Sequence, residues 1–104
     1  MKRNKYKAKP VVTGDGIRFA SQKEFGRFLY LRGMERGGAI RGLELQPRFD
    51  IRIEGKFCGF YKADFAYFAD NKRVIEDVKG MKTPVYRLKK KIIEAMYNVD
   101  IVEI

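Results

Sequence analysis

Tyr61-Lys62-Ala63-Asp64-Phe65-Ala66-Tyr67-Phe68, followed after a short break by Arg73-Val74-Ile75-Glu76-Asp77-Val78-Lys79-Gly80, is the stretch that decides the fold. Both halves are rich in β-branched and aromatic residues, and Asp70-Asn71-Lys72 between them is a tight-turn signal, so they are expected to pair as a hairpin. Side chains alternate faces along an extended chain. Asp77 and Lys79 therefore project to one side, where they can converge with Asp64 from the neighbouring strand. Each acid stands among apolar residues, Asp64 between Ala63 and Phe65 and Asp77 beside Ile75 and Val78, where a buried charge is costly without a partner. Carboxylate oxygens suit a hard divalent cation such as Mg²⁺, and a nearby Lys can position or deprotonate a water or stabilise charge on a phosphate. The grouping fits metal-assisted phosphodiester hydrolysis. The plainer alternatives are a solvated Asp64 and a structural ion pair between Asp77 and Lys79. Glu76 belongs to the opposite face, solvent-facing or paired with a basic neighbour.

Upstream, Lys56 to Ala69 reads as one continuous strand, preceded by a turn at Gly55. The segment Ile40 to Ile53 reads as one or two strands interrupted near Pro47, which cannot donate to a sheet ladder. A first helix is expected to begin at Ser21, three residues before Glu24. It carries Phe25, Phe28 and Leu29 at helical spacing and is ended by Gly33 and the Gly37-Gly38 pair. Val11-Val12 and Ile17-Arg18-Phe19 flank the turn Gly14-Asp15-Gly16 as a small hairpin. Downstream, Thr83 is the expected N-cap of a second helix with Pro84 at its first position and an apolar stripe of Val85, Leu88, Ile92 and Met96. Asp100 to Ile104 closes as a strand. The expectation is one α/β (α+β) domain over residues 11–104, a central mixed sheet flanked by helices, behind a flexible basic arm at residues 1–10.

The chain has 104 residues, 45% hydrophobic and 13% aromatic, enough for one core. Its 23 Lys and Arg against 13 Asp and Glu give a formal charge of +10, which favours a polyanionic partner, nucleic acid first. No apolar run approaches membrane-spanning length, no lipidation signal is present and the N-terminus lacks the apolar segment of a secretory signal, so a cytoplasmic protein without membrane contact is expected. With one Cys and no His, an internal disulfide, a conventional zinc site and a His-based triad are excluded. Acid, lysine and metal chemistry remain, or plain binding.

Three further features have bland and functional readings side by side. Ser21-x-x-Glu24 is a capping box that explains Glu24 by itself, yet Glu24 shares a helix face with Phe28 and Leu31 that turns it toward the core. The cations of the second helix and its approach, Lys82, Arg87, Lys89, Lys90 and Lys91, can be a solvated face, but with Glu94 as their one acidic counterweight on that helix they can also hold phosphates beside the site. Tyr86 and Tyr97 can stack on bases or pack against the sheet. Cys58 reads as a small buried apolar residue.

Four blocks, Phe19 to Glu24, Leu43 to Pro47, Ala63 to Phe65 and Glu76 to Gly80, together resemble a small phage-encoded branch of the PD-(D/E)XK nuclease superfamily, with Ala63 in place of the Pro and Asp77 as the second acid. The resemblance implies a restriction-endonuclease-like αβββαβ core. It implies Mg²⁺ or Mn²⁺ bound at Glu24, Asp64, Asp77 and Val78, and Glu24, Asp64, Asp77 and Lys79 as catalytic residues, with Lys79 assisting the attacking water. It further implies a homodimer that cuts DNA, branched and Holliday-junction-like first. A non-catalytic nucleic-acid-binding module and an RNA-directed nuclease of the same fold are the alternatives.

Overall fold

The computed structural model describes residues 9–78 and 82–104. The expected arm lies almost wholly outside these residues, as do Lys79 and Gly80. A minimal hairpin, β1 (Val11–Val12) and β2 (Arg18–Phe19), leads into helix α1 (Gln22–Arg36). Then come β3 (Arg41–Leu45), β4 (Arg48–Ile53), β5 (Lys56–Lys62), β6 (Phe65–Ala69), β7 (Lys72–Asp77), helix α2 (Pro84–Tyr97) and β8 (Ile101–Glu103). The central sheet has the order β3-β6-β7-β8; its first three strands are antiparallel and β8 runs parallel to β7. Parallel neighbours need a crossover, and α2 supplies it. A separate antiparallel ribbon, β4–β5, branches from the sheet between β3 and β6.

The β6–β7 hairpin turns on Asp70 and Asn71, both at positive φ (52° and 63°). Such a two-residue turn matches the strand twist, and Asp and Asn tolerate the left-handed region. It pairs Ala69 with Lys72 and Phe65 with Glu76. Continuing that register by one residue sets Asp64 opposite Asp77.

Two apolar clusters sandwich the sheet. Phe19, Phe28, Leu31, Ile40, Phe65 and Tyr67 form the α1 side, while Phe49, Ile51, Tyr61, Ala66, Ile75, Tyr86, Ile93 and Ile101 form the α2 side. Alternation on β7 places Ile75 and Asp77 on the α2 side and Val74 and Glu76 on the α1 side. Both faces of β6 are buried, so its apolar run is continuous rather than alternating.

Both helix starts follow their sequence signals. The Ser21 hydroxyl accepts the Glu24 N–H and the Thr83 hydroxyl accepts the Tyr86 N–H, each at 3.1 Å. At its other end α2 stops on Asn98 in the left-handed conformation.

Five expectations are corrected. α1 runs through Gly33 and stops at Arg36, where Gly37 caps it, because a helix interior tolerates a glycine at a cost of about 1 kcal/mol. Its Leu29 faces water. The segment from Lys56 to Ala69 is two strands in two different sheets, broken at Ala63-Asp64. On α2 the expected stripe is largely outward: Val85 and Leu88 are about 60% exposed, whereas Tyr86 and Ile93 are the buried residues, with Ile92 half-buried beside them. Cys58 is exposed because the ribbon register steps there, Ile51 facing Gly59 and Arg52 facing Phe57.

Glu76 is paired with a basic neighbour, and that neighbour comes from α1. Arg27 donates from Nε and Nη2 to the two carboxylate oxygens at 2.8 and 2.6 Å, and the Tyr67 hydroxyl donates to the same carboxylate. The Glu76 side chain is only 1% exposed against 25% for Arg27, so removing the guanidinium strands a buried charge. We expect Arg27→Ala to destabilise the fold by about 3 kcal/mol and Arg27→Lys, which keeps the charge but not the fork, by less. Urea denaturation measures both; a loss below about 1 kcal/mol for Arg27→Ala would class the link as an ordinary surface pair.

Candidate active site

The C-terminal end of β7, the Ala63-Asp64 junction, the N-terminal half of α1 and the end of β3 meet at one place. Asp64 is fixed by its backbone: its N–H donates to Glu76 O at 3.1 Å and its carbonyl accepts the Gln46 N–H at 2.9 Å. Its Oδ2 accepts the Val78 N–H at 2.6 Å. Asp77 is fully buried. Its Oδ2 accepts the Tyr61 hydroxyl from the base of the ribbon, and its carbonyl accepts the Ile104 N–H at 3.0 Å. The two carboxyl groups are neighbours across the extended hairpin register, near enough that Asp77 raises the cost of charging Asp64.

That proximity has an electrostatic signature. Burial first, and the hydrogen bond with Asp77 second, push the Asp64 pKa up from 3.8 to about 8, with the charges of Asp77 and Glu24 adding to the rise. The Val78 N–H opposes it and loses. Burial and then Asp77 also push the Tyr61 hydroxyl far above its ordinary range, so Tyr61 is a hydrogen-bond donor at any physiological pH.

Glu24 does both things its position allows. Its Oε1 accepts the Ala20 N–H at 3.1 Å, closing the cap, while the residue is buried and turned toward the sheet. Together Ile17, Arg18, Phe19, Ala20, Glu24, Leu45, Gln46 and Asp64 line a cleft of ≈ 410 Å³. The structure thus brings Glu24, Asp64, Asp77 and Val78 to one locality, while Lys79, the remaining expected site residue, lies outside the described residues.

Arg18, Gln46 and Tyr61 are lining or supporting residues that the sequence reading did not single out. Gln46 carried a signal, standing before Pro47 and between two strands. It takes a positive φ of 52° where the chain leaves the sheet for the ribbon. Tyr61 carried none, since its partner lies sixteen residues away.

The cations assigned to nucleic acid lie on a different surface. Lys82, Arg87, Lys90 and Lys91 line an open cleft of ≈ 480 Å³ with Glu94 and Glu103. Lys82 pairs with Glu103 at 3.1 Å and Lys90 with Glu94 at 3.7 Å. Lys89 points instead to the ribbon, 5.6 Å from the Phe60 ring. Tyr86 is buried and donates to Glu103 at 2.7 Å, and Tyr97 packs edge-on against Phe49 and donates to the Asp50 carbonyl at 2.7 Å. Both tyrosines pack against the protein.

As a metal centre, the donor set is one of hard oxygens. Among the described residues no three His, Cys, Asp or Glu side chains form a group able to hold a metal ion; the two carboxyls of Asp64 and Asp77 are neighbours. Two are enough for Mg²⁺, which keeps several waters and takes one or two carboxylates together with substrate phosphates. The carboxyl chemistry of Asp64 and Asp77 is compatible with such a cation.

The raised pKa has a consequence for stability. Between pH 4 and 8 the folded protein holds a proton on Asp64 that the unfolded chain releases, so this group's contribution is full at pH 4 and is lost as pH rises through about 8. In EDTA, Asp64→Asn should therefore gain stability relative to wild type as pH rises from 5 to 8.5, by urea midpoints. Parallel pH profiles for the two proteins would contradict the buried acid pair.

No helix among the described residues is long and apolar enough to cross a membrane. No curated protein and no solved structure matches the chain at a significant level. A family profile does match, over residues 3–102, which is nearly the whole chain, and the protein accordingly belongs to the family described as "Protein of unknown function (DUF1064)".

Proposed function

We propose that the protein is a divalent-metal-dependent endonuclease of the PD-(D/E)XK kind, hydrolysing phosphodiester bonds in DNA, with branched DNA as the preferred substrate and a homodimer as the working unit. The observation that carries the proposal is that Asp64, which lines a cleft with Glu24 large enough for a phosphate and its sugar, neighbours the fully buried Asp77. The element order α1, β3, β6, β7, α2, β8 supports it, being the αβββαβ order of that superfamily with the ribbon as an insertion.

Asp64 and Asp77 would hold Mg²⁺ or Mn²⁺, with the Val78 carbonyl and Glu24 at its margin. Bound there, the cation would polarise a phosphate oxygen and lower the pKa of a water. Tyr61 keeps Asp77 oriented by donating to Oδ2, and the Val78 N–H does the same for Asp64. Arg18, which lines the same cleft, would meet a phosphate. Lys79, two residues after Asp77, is assigned to the attacking water. Arg87, Lys90 and Lys91, on their separate cleft, would hold phosphates farther along the same nucleic acid.

One observation favours a non-catalytic nucleic-acid-binding module instead: protein groups, the Val78 N–H for Asp64 and the Tyr61 hydroxyl for Asp77, each hold one carboxylate oxygen without a metal. Cleavage decides between the two. With labelled four-way-junction, flap, linear duplex and single-stranded DNA, we expect Mg²⁺- or Mn²⁺-dependent cutting that EDTA abolishes and that Asp77→Asn reduces at least about 100-fold with binding nearly intact. Binding without cutting under every condition would select the module; cutting of RNA in preference to DNA would select the RNA-directed nuclease. On the affinity side, Arg87→Ala and Lys91→Ala should each reduce the salt slope of DNA binding by about 1. An unchanged slope would place the binding face elsewhere.

A further inference from the structure

The outer face of the β4–β5 ribbon holds two phenylalanines in water. Phe57 is 51% and Phe60 39% exposed, although the opposite face of the same ribbon buries Phe49, Ile51 and Tyr61. The register sets Arg48 opposite Lys62, Asp50 opposite Phe60 and Arg52 opposite Phe57. Cations crown both rings: the Arg48 guanidinium lies 4.0 Å and the Lys89 ammonium 5.6 Å from the Phe60 centroid, and the Arg52 guanidinium 5.5 Å from that of Phe57. The acid of this face, Asp50, is neutralised by Arg48 Nε at 3.0 Å.

Core formation does not account for this arrangement. An exposed Phe contributes little burial, and an exposed cation over a ring adds only about 0.5–1 kcal/mol. Alternating rings and cations along one strand face do match a chain of bases and phosphates, because every base has a π-face and every phosphate a charge. A duplex hides its base faces; an unpaired segment offers them.

We propose that this ribbon face binds an unpaired stretch of nucleic acid, with bases stacking on Phe60 and Phe57 and phosphates held by Arg48, Arg52 and Lys62. The ribbon starts two residues after Gln46 and ends two residues before Asp64, so its Arg48–Lys62 end abuts the acid cleft and Phe60 lies about 13 Å along the chain from Asp64. This deepens the nuclease proposal by naming its substrate as DNA with unpaired nucleotides beside the cut; only that placement rests on the nuclease reading, and the binding is measured without cleavage.

The test is fluorescence anisotropy in EDTA with a labelled oligothymidylate of about twelve nucleotides, within the usual range of single-strand site sizes, and a blunt duplex of equal length. At about 5-fold or more per stacked base, Phe57→Ala/Phe60→Ala should weaken oligothymidylate binding about 25-fold or more, while duplex affinity stays within about 2-fold. The chain has no Trp, so Phe60→Trp adds a single reporter, whose emission should be quenched by saturating oligothymidylate and not by duplex. Equal oligothymidylate affinity for wild type and the double variant, unmoved Trp emission at saturation, or no binding of the oligonucleotide at all would each overturn the proposal. Absence of metal-dependent cleavage with these differences intact would refute the nuclease and leave the ribbon's role supported.

Discussion

The two-residue turn at Asp70-Asn71 is the constraint on which the site depends. Both residues sit in the left-handed region that this turn requires, and the turn leaves one register for β6 and β7. In that register Asp77 faces α2, Glu76 faces α1, and Asp64 falls opposite Asp77. A slip of one residue would exchange the two acids between faces. Glu76 would lose Arg27 and Tyr67, and Asp64 would face the wrong neighbour. The bidentate Arg27–Glu76 link and the apolar clusters on both faces therefore hold the register from outside the hairpin.

The acid pair works against the fold that supports it. Half-burial of Asp64 beside the fully buried Asp77 raises the cost of charging Asp64, and burial is the larger part of that cost. The protein meets it with specific donors, the Val78 N–H for one carboxyl and the Tyr61 hydroxyl for the other. Tyr61 belongs to the ribbon, whose buried face also carries Phe49 and Ile51 into the α2 cluster. The ribbon is thus part of the site's support as well as an extension of the surface beside it.

Much of this was legible in the sequence where the governing interaction is local. Ser21 and Thr83 capped the helices they precede, Pro47 divided two strands, and Asp-Asn turned the hairpin, because each acts through its own backbone or that of a residue three or fewer positions away. The burial of Glu24 was legible from its helix spacing with Phe28 and Leu31. What failed depended on tertiary partners. The apolar run from Lys56 to Ala69 gave no sign that it changes sheets at Ala63-Asp64, since both halves are equally strand-like. On α2 two faces competed, and the aromatic bulk of Tyr86 with Ile93 won the sheet over Val85 and Leu88. Arg27 and Glu76 are 49 residues apart, and no periodicity links them.

The acid pair, the ribbon and the Leu45–Asp64 part of the cleft lie in one stretch of chain from Leu45 to Asp77, and Ile17 to Glu24 supply the rest of the cleft. The nuclease proposal rests on the neighbouring carboxyls of Asp64 and Asp77 being a cation site. A crystal structure of the protein grown with Mn²⁺, read by its anomalous difference map, tests that claim most directly. The account predicts a peak at the carboxylates of Asp64 and Asp77. A map without a peak there at saturating Mn²⁺ would contradict it.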